Sequence, residues 1–154
     1  MLSAQPLPRV PRLKPVVSAW LLSEWPGWYA KGGAGDLLGD VDAFATSELE
    51  LPVGFVVFDD DEPIGFGALK RVSISTHTHL APWAAAGYVV PARRGQGVGA
   101  FLLQAIVAHA KAIGYGNVYC GTSTAISLLN RAGWQQIEHI TYAGKPLIIF
   151  RSGA

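Results

Sequence analysis

Three glycines in five residues, Gly95, Gly97 and Gly99, directly follow Arg93 and Arg94. They stand between an apolar run, Ala84 to Val90 closed by Pro91, and the longest helical pattern of the chain. The chemistry this combination suits is anion binding. Glycines let the main chain turn without Cβ clashes and turn its N–H groups outward. A helix start adds unpaired donors and a partial positive charge of about +0.5, and the two arginines add whole charges. These are the parts of a phosphate or pyrophosphate site. The plainer alternative is a tight strand-to-helix turn with incidental arginines. It leaves unexplained why glycine, at about 1 kcal/mol each relative to alanine inside a helix, recurs where the helix begins.

Two phosphate motifs can be tested on the segment. Gly95-Gln96-Gly97-Val98-Gly99-Ala100 satisfies the dinucleotide pattern G-x-G-x-x-G/A in form, but that pattern needs an acid roughly 20 residues on to hold the ribose. No Asp or Glu occurs between Glu62 and Glu138, so the nicotinamide-dinucleotide reading fails. The P-loop ending in Gly-Lys-Ser/Thr is absent as well.

The other reactive groups carry less pattern. His77 and His79 sit in a loop ahead of the central strand, and histidine titrates near neutral pH. Glu48 and Glu50 come just before the first strand of a hairpin and could bind or deprotonate an amine; for each of these four residues a plain surface role is the favoured reading. His77-x-His79 offers two ligands without a nearby Cys or acid, so no metal site is expected. His109 reads as a boundary residue of the long helix. Cys120 reads as a small buried group in a strand without an activating partner. Trp20, Trp25, Trp28 and Tyr29 gather near the first helix as core, with one or two available to wall a pocket.

The elements that must position these groups follow from periodicity and turn chemistry. Residues 1–15, with four prolines between Pro6 and Pro15, form an extended lead-in, either a poorly ordered tail or a short edge strand. Val16 to Trp25 predicts a helix stopped by Pro26-Gly27. Asp36 caps a second helix carrying Leu37, Leu38, Val41, Phe44 and Ala45. Val53 to Phe58 and Ile64 to about Ile74 form a hairpin around the acidic turn Asp59 to Pro63. Ala84 to Val90 is a strand buried on both faces. Gly97 to Gly114 is a helix with Val98, Phe101, Leu102, Ala105, Ile106, Ala108, Ala112 and Ile113 inward. Asn117 to Gly121 is a strand, and Ser123 or Thr124 caps a short helix running to Arg131. Trp134 to Tyr142 and Lys145 to Arg151 close the chain as a hairpin. The order predicts one domain, residues 16–151, of the α/β or α+β class around a mixed sheet.

The chain's 154 residues, half of them hydrophobic and 15% charged, suit one domain with a substantial core and exclude disorder over most of the length. A net charge of +1 argues against binding nucleic acid through its phosphates. One cysteine excludes an internal disulfide framework and points to a reducing compartment. No apolar stretch is long enough to span a membrane, so a cytoplasmic protein is expected. The charge is divided along the chain. Residues 1–69 hold four basic and ten acidic residues, and residues 70–154 hold eight basic and one acidic, giving −6 and +7. Such asymmetry suits an anionic ligand at one end and a cationic one at the other, or no ligand at all.

On these residues the chain resembles the GNAT family of N-acetyltransferases. The family's Arg/Gln-x-x-Gly-x-Gly/Ala motif is met by Arg94-Gly95-Gln96-Gly97-Val98-Gly99, directly after Val89-Val90-Pro91. Its second signature is a strand, a short helix and Gly-Phe/Trp, met by Val118-Tyr119-Cys120 through Leu128 and Asn130 to Gly133-Trp134. Pro82-Trp83-Ala84 and the closing Gly144 to Ile149 segment are similar too. The likeness is good over about residues 50–151 and loose before that. It implies a mostly antiparallel sheet flanked by helices, with acetyl-CoA as cosubstrate, no metal, and direct acyl transfer to a primary amine. The amine would be carried by a small molecule or a protein terminus, and the enzyme would be a monomer or homodimer. It further implies that the main chain of Gly87, Tyr88 and Val89 pairs with the pantetheine arm, that amides of Gly95 to Ala100 hold the pyrophosphate, and that Thr122 lines the arm.

One departure bears on mechanism. The family's general-acid tyrosine falls where this chain has Leu129. A thiol's pKa of about 8.5 makes its thiolate a tolerable leaving group, and general acid catalysis contributes on the order of 10²–10⁴ in rate. The reaction is therefore slowed rather than forbidden. His77, Glu50 and Tyr119 are the candidate catalytic residues, with Tyr142, Ser127 or water as other proton donors. The alternative is an acyl-CoA-binding or sensor module that has lost the chemistry.

Overall fold

The computed structural model describes residues 1–153. Seven strands form one sheet in the order β1-β2-β3-β4-β5-β7-β6. The strands are β1 (Leu2–Pro6), β2 (Val53–Asp59), β3 (Glu62–Lys70), β4 (Trp83–Val89), β5 (Tyr119–Thr122), β6 (Gln135–Tyr142) and β7 (Lys145–Arg151). All neighbours are antiparallel except β4 and β5. That single parallel step needs a crossover, which α4 (Val98–Ala112) supplies.

The apolar run of β2 explains the layering. Every residue from Val53 to Phe58 is buried, and alternate side chains enter different cores. Phe55 and Val57 pack with Val98, Leu102, Ile106 and Ala110 of α4. Val56 and Phe58 pack with Val17 and Leu21 of α1 (Lys14–Glu24) and with Val41 and Phe44 of α3 (Leu37–Phe44). The sheet thus lies between α4 on one face and the N-terminal helices on the other, as a continuous rather than alternating apolar strand requires.

Several elements differ from expectation. The lead-in is the edge strand: Leu2 to Pro6 pair with Asp59 to Phe55, and two turns of 3-10 helix follow, burying Leu7 and Leu13. Pro26 does not merely stop α1; it opens α2 (Pro26–Tyr29) at the first helical position, where its missing N–H leaves no bond unmade. The acidic turn shrinks to Asp60 and Asp61, because Glu62 and Pro63 pair with β2 across a bulge, and the return strand ends at Lys70 rather than Ile74. Asp36 caps α3 as expected, its carboxylate accepting from the Gly39 amide at 3.0 Å. Neither Ser123 nor Thr124 caps α5 (Ile126–Arg131): its N-cap is Ala125, without a side-chain bond, and the Thr122 hydroxyl oxygen accepts from the amides of Thr124 (3.1 Å) and Ala125 (2.9 Å) in the turn before the helix.

The departure that matters most is in β4. Read as buried on both faces, it is part-exposed at Ala85 and Ala86 and exposed at Gly87. Ala85 pairs with Ala68 and Tyr88 with Phe66, so Ala86 and Gly87 together oppose the single residue Gly67. This is a β-bulge, and Ala86 holds it at φ +56°. A left-handed conformation costs a residue with a Cβ about 1–2 kcal/mol. Ala86→Gly is therefore expected to leave stability within about 1 kcal/mol of the parent, strain relief offsetting glycine's backbone entropy. Ala86→Val, β-branched at positive φ, should lose about 1–3 kcal/mol. Urea denaturation of the two variants measures both; equal destabilisation would show that the bulge is not held as described.

Candidate functional site

β4 and β5 exchange one residue pair, Trp83 with Tyr119. Beyond it the strands part, and the main chain of β4 is unpaired on that side. Alternation fixes which groups face the gap. The Val90 amide donates to Ile64 of β3 at 2.9 Å, so Val89 and, two residues back, Gly87 turn their amides and carbonyls away from β3. Nothing lies within 4 Å of a Cβ built on Gly87.

At the open end of the gap β4 runs through a 3-10 turn (Pro91–Arg93) into the glycine loop. Gly95 (φ +76°) and Gly97 (φ +87°) are both left-handed, and Gly97 is the N-cap of α4 with no side chain to satisfy the helix's first donors. Those donors have no capping side chain, and a helix start of this kind suits an anion. Gly99 serves a different end: a Cβ there would come within 3.1 Å of Leu128 Cδ2, so it admits α5 against α4. A groove of about 1170 Å³ starts at this loop and follows α4 between it and α5. Its wall includes Gly95, Gly97, Val98, Gly99, Ala100 and Ser127.

The two arginines do not simply add charge to the loop. Arg93 donates through Nη1 to Asp59 Oδ2 at 2.6 Å and through Nη2 to Glu62 Oε1 at 3.0 Å, fastening the loop to the β2–β3 hairpin. The guanidinium beside it holds the Asp59 carboxyl below the usual carboxylate range. Arg94 folds back over β4: Nε donates to the Val89 carbonyl at 2.8 Å, Nη2 reaches Glu24 of α1 at 3.4 Å, and its guanidinium lies 5.5 Å from the Tyr88 ring centroid. Tyr88 in turn stacks on Trp20 of α1 at 5.5 Å. Gln96 turns back to the Ala92 carbonyl at 3.3 Å. The loop's free donors are main-chain ones, and Glu24, Asp59 and Glu62 support it. They lie 31 to 70 residues from their partners, so no local spacing in the sequence marks them.

The three catalytic candidates are not brought together. Tyr119 stands on β5 at the closed end of the gap, its ring 5.8 Å from that of Trp83. His77 lies in the β3–β4 loop, its Nε2 3.0 Å from Glu138 Oε1 and its Nδ1 2.8 Å from Thr76 Oγ1. That loop is tied to Trp83, whose indole N–H donates to the Leu80 carbonyl at 2.7 Å. Glu50 is elsewhere, exposed ahead of β2 in the loop that His109 of α4 grips through the Glu48 carbonyl at 2.6 Å. Glu48 itself pairs with Arg9 at 2.8 Å. Thr122 faces a smaller depression of about 260 Å³ beside β6 and β7, away from the main groove. Burial pushes the Cys120 thiol up to about 12, which keeps it unreactive. Leu129 is fully buried in the core with Trp134 and Phe150. Among the described residues no group of three or more His, Cys, Asp or Glu is placed to hold a metal ion, and no helix is long and apolar enough to cross a membrane.

The comparisons with known proteins agree with this geometry. Residues 17–134 match the family model described as Acetyltransferase (GNAT) family. Among solved structures the chain is similar to an aminoglycoside 6'-N-acetyltransferase complexed with coenzyme A, with a TM-score of 0.77 and 16% identity over 97% of this chain and 96% of that one. It is similar to the aminoglycoside 6'-N-acetyltransferase from Enterococcus faecium, at 0.74 and 17% over 99% and 96%. A third is yncA, a possible acetyltransferase from Salmonella typhimurium with its cofactor acetyl-CoA, at 0.70 and 13% over 97% and 92%. At such identities these structures speak for the fold alone. No curated protein matches the sequence.

Two substitutions test the loop with CoA as ligand. The site of Gly97 has room for a side chain but not the backbone for one, so Gly97→Val should weaken CoA binding at least tenfold while Gly97→Asn, which tolerates positive φ, weakens it less. Asp59→Asn removes the anchor of Arg93 and should raise the CoA dissociation constant several-fold. Its effect on stability should be small, since both partners are partly exposed. Because the Asp59 carboxyl titrates below its ordinary range, its ion pair persists across neutral pH and is lost only on strong acidification. Calorimetric CoA affinity should accordingly be flat across neutral pH; equal loss for both Gly97 variants would contradict the backbone account.

Proposed function

Since the chain belongs to the GNAT acetyltransferase family, we propose that it is an acetyl-CoA-dependent N-acetyltransferase that acylates a primary amine by direct transfer. The observation that carries the reading is the gap between β4 and β5, which opens onto the glycine loop. A pantetheine arm presents amide groups to which the unpaired N–H groups of Gly87 and Val89 can donate and from which their carbonyls can accept, and the diphosphate next to it suits the main-chain donors of Gly95 to Ala100. Acetyl-CoA supplies the acyl group as a thioester.

The chain's own contribution is placement and proton handling. The bulge turns the Gly87 amide toward the gap, where it can polarise the thioester carbonyl. A neutral amine attacks the carbonyl carbon, the carbon–sulfur bond breaks, and the amine's proton must leave as the sulfur acquires one. Of the candidates, Tyr119 stands at the apex of the gap, and its phenol is the proposed proton donor. With leucine at position 129, no tyrosine approaches from α5.

The acceptor side is the acidic one. Glu24, Asp36 and Asp40 belong to α1, α3 and the segment between them, and Trp25 and Trp28 are partly exposed beside them. Tyr29 donates to Asp40 at 2.7 Å, and burial, then that carboxylate, raises its pKa. This setting favours a cationic acceptor, and polycationic small molecules such as aminoglycosides, on which two of the structural relatives act by name, are the first to try. A cytoplasmic enzyme acting as monomer or homodimer fits the reading.

Incubation with acetyl-CoA and a panel of aminoglycosides, polyamines and peptide N-termini, with thiol release followed, tests the proposal. Turnover is expected with at least one cationic amine, and Tyr119→Phe should lower kcat at least tenfold with KM for acetyl-CoA unchanged. CoA binding without turnover on any amine would leave a binding module in place of an enzyme.

A further inference from the structure

Glu138 is the only acid after Glu62, in a stretch that holds eight basic residues. It is bound to none of them. Its Oε1 lies instead 3.0 Å from Nε2 of His77, 61 residues away. The other nitrogen of that ring, Nδ1, is 2.8 Å from Thr76 Oγ1. A carboxylate only accepts, so Nε2 carries a hydrogen, and in the neutral ring Nδ1 accepts from the Thr76 hydroxyl. In the protonated ring both nitrogens donate. In neither charge state is a lone pair left for the proton of an incoming amine, and the ring, 12% exposed, is largely covered. His77 holds the loop rather than serving as a base.

The held segment is the β3–β4 connection, residues 71–82. A second tie binds it to the same strand: the Ser75 amide donates to the Tyr142 phenol oxygen at 3.2 Å, and Ser75 Oγ lies 2.9 Å from that oxygen. Beside these polar ties Ile74 is buried in a cluster with Trp83 and Ile149, and Tyr119 packs against the same cluster. A Cβ on Gly121 would come within 3.0 Å of Ile74 Cδ1. Gly121 follows Tyr119 by two residues, on the same face of β5, and so makes room for the loop beside the tyrosine. Two turns lead from the latch to the gap, with the His77 amide donating to the Ile74 carbonyl at 2.9 Å and the Leu80 amide to the His77 carbonyl at 3.1 Å. The Trp83 indole donates to the Leu80 carbonyl at 2.7 Å, and the Trp83 ring, fully buried, stands 5.8 Å from that of Tyr119. A continuous path therefore joins Glu138, His77, Leu80, Trp83 and Tyr119.

We propose that His77 and Glu138 are positioning residues for acyl transfer: their bond latches the β3–β4 loop onto β6, and the latched loop holds Trp83 and, through it, the Tyr119 ring at the apex of the gap. The inference rests on the assignment of Tyr119 as proton donor to the leaving sulfur. Proton transfer needs the donor within hydrogen-bond reach, and a misplacement of about 1 Å can cost on the order of 10²-fold in rate. Neither His77 nor Glu138 touches acetyl-CoA, so the latch acts on kcat and not on the affinity for the thioester.

Glu138 is half exposed, so Glu138→Ala removes the latch without opening the core, while Glu138→Gln keeps an acceptor oxygen for His77. On an amine that the parent acylates, Glu138→Ala should lower kcat about threefold or more with KM for acetyl-CoA unchanged, and Glu138→Gln should restore kcat to within about twofold of the parent. In a Tyr119→Phe background Glu138→Ala should have no further effect on kcat, as for residues that act through one group. Parental kcat in Glu138→Ala, or a loss that adds fully to that of Tyr119→Phe, overturns the inference and leaves Tyr119 as the donor. Parental kcat in Tyr119→Phe removes the donor assignment and the inference with it. The NMR signal of the Tyr119 ring in protein with isotope-labelled tyrosine, identified by its absence from Tyr119→Phe, reads the latch without any turnover, because the neighbouring Trp83 ring sets its position. It should shift in Glu138→Ala and return in Glu138→Gln; a signal that Glu138→Ala leaves in place overturns the inference whether or not any amine is acylated.

Discussion

Two parallel strands that pair once and then separate leave main-chain donors and acceptors unsatisfied in the middle of a sheet, a state folded proteins avoid. The rest of this molecule is arranged around that gap. The β4 bulge at Ala86 and Gly87 turns the unpaired groups into it, and α4 packs across β3 and β4 so that its unfilled N-terminus meets the gap's open end. On the opposite face α1 presses Trp20 against Tyr88 and pairs Glu24 with Arg94, holding β4 from behind. A ligand that is amide-like along its arm and anionic at its end completes both sets of missing bonds. An acyl-CoA has that shape of chemistry.

The arginines show how the charge is used. In sequence they look like ligands for the phosphate; in the fold Arg93 is a fastening between the loop and the β2–β3 hairpin, and Arg94 a strap over β4. Counter-charging them with Asp59, Glu62 and Glu24 fixes the loop's position and leaves oriented main-chain dipoles, which need no side-chain ordering, as the loop's free donors. The excess of positive charge in the second half of the chain then appears further along the groove, at Lys111 and Arg131, neither of which is in an ion pair among the described residues.

Much of this is legible in the sequence, and the misses share a cause. Asp36 was readable as a cap because its partner is three residues away, and the helix of Val98 to Ala112 because its stripe repeats locally. The hairpins of Val53 and Trp134 followed from alternation and turns. What the sequence hid is non-local. Gly87 faces a gap only because β5 diverges from β4, so a continuous apolar run read as buried on both faces. Neither Ser123 nor Thr124 caps α5, because the helix is entered later, at Ala125, and the Thr122 hydroxyl at the end of β5 closes the turn before it. The lead-in is an edge strand because β2 had an unpaired edge to offer. Glu50 and His77, candidates on residue type, fall at different places in the fold, since residue type carries no information about distance.

The crystal structure of the protein with CoA bound addresses the central claim most directly. The account predicts the diphosphate on the amides of Gly95 to Ala100 and the pantetheine arm between β4 and β5, bonded to Gly87 and Val89. A CoA molecule held elsewhere, with those amides turned to solvent or covered by side chains, would contradict it.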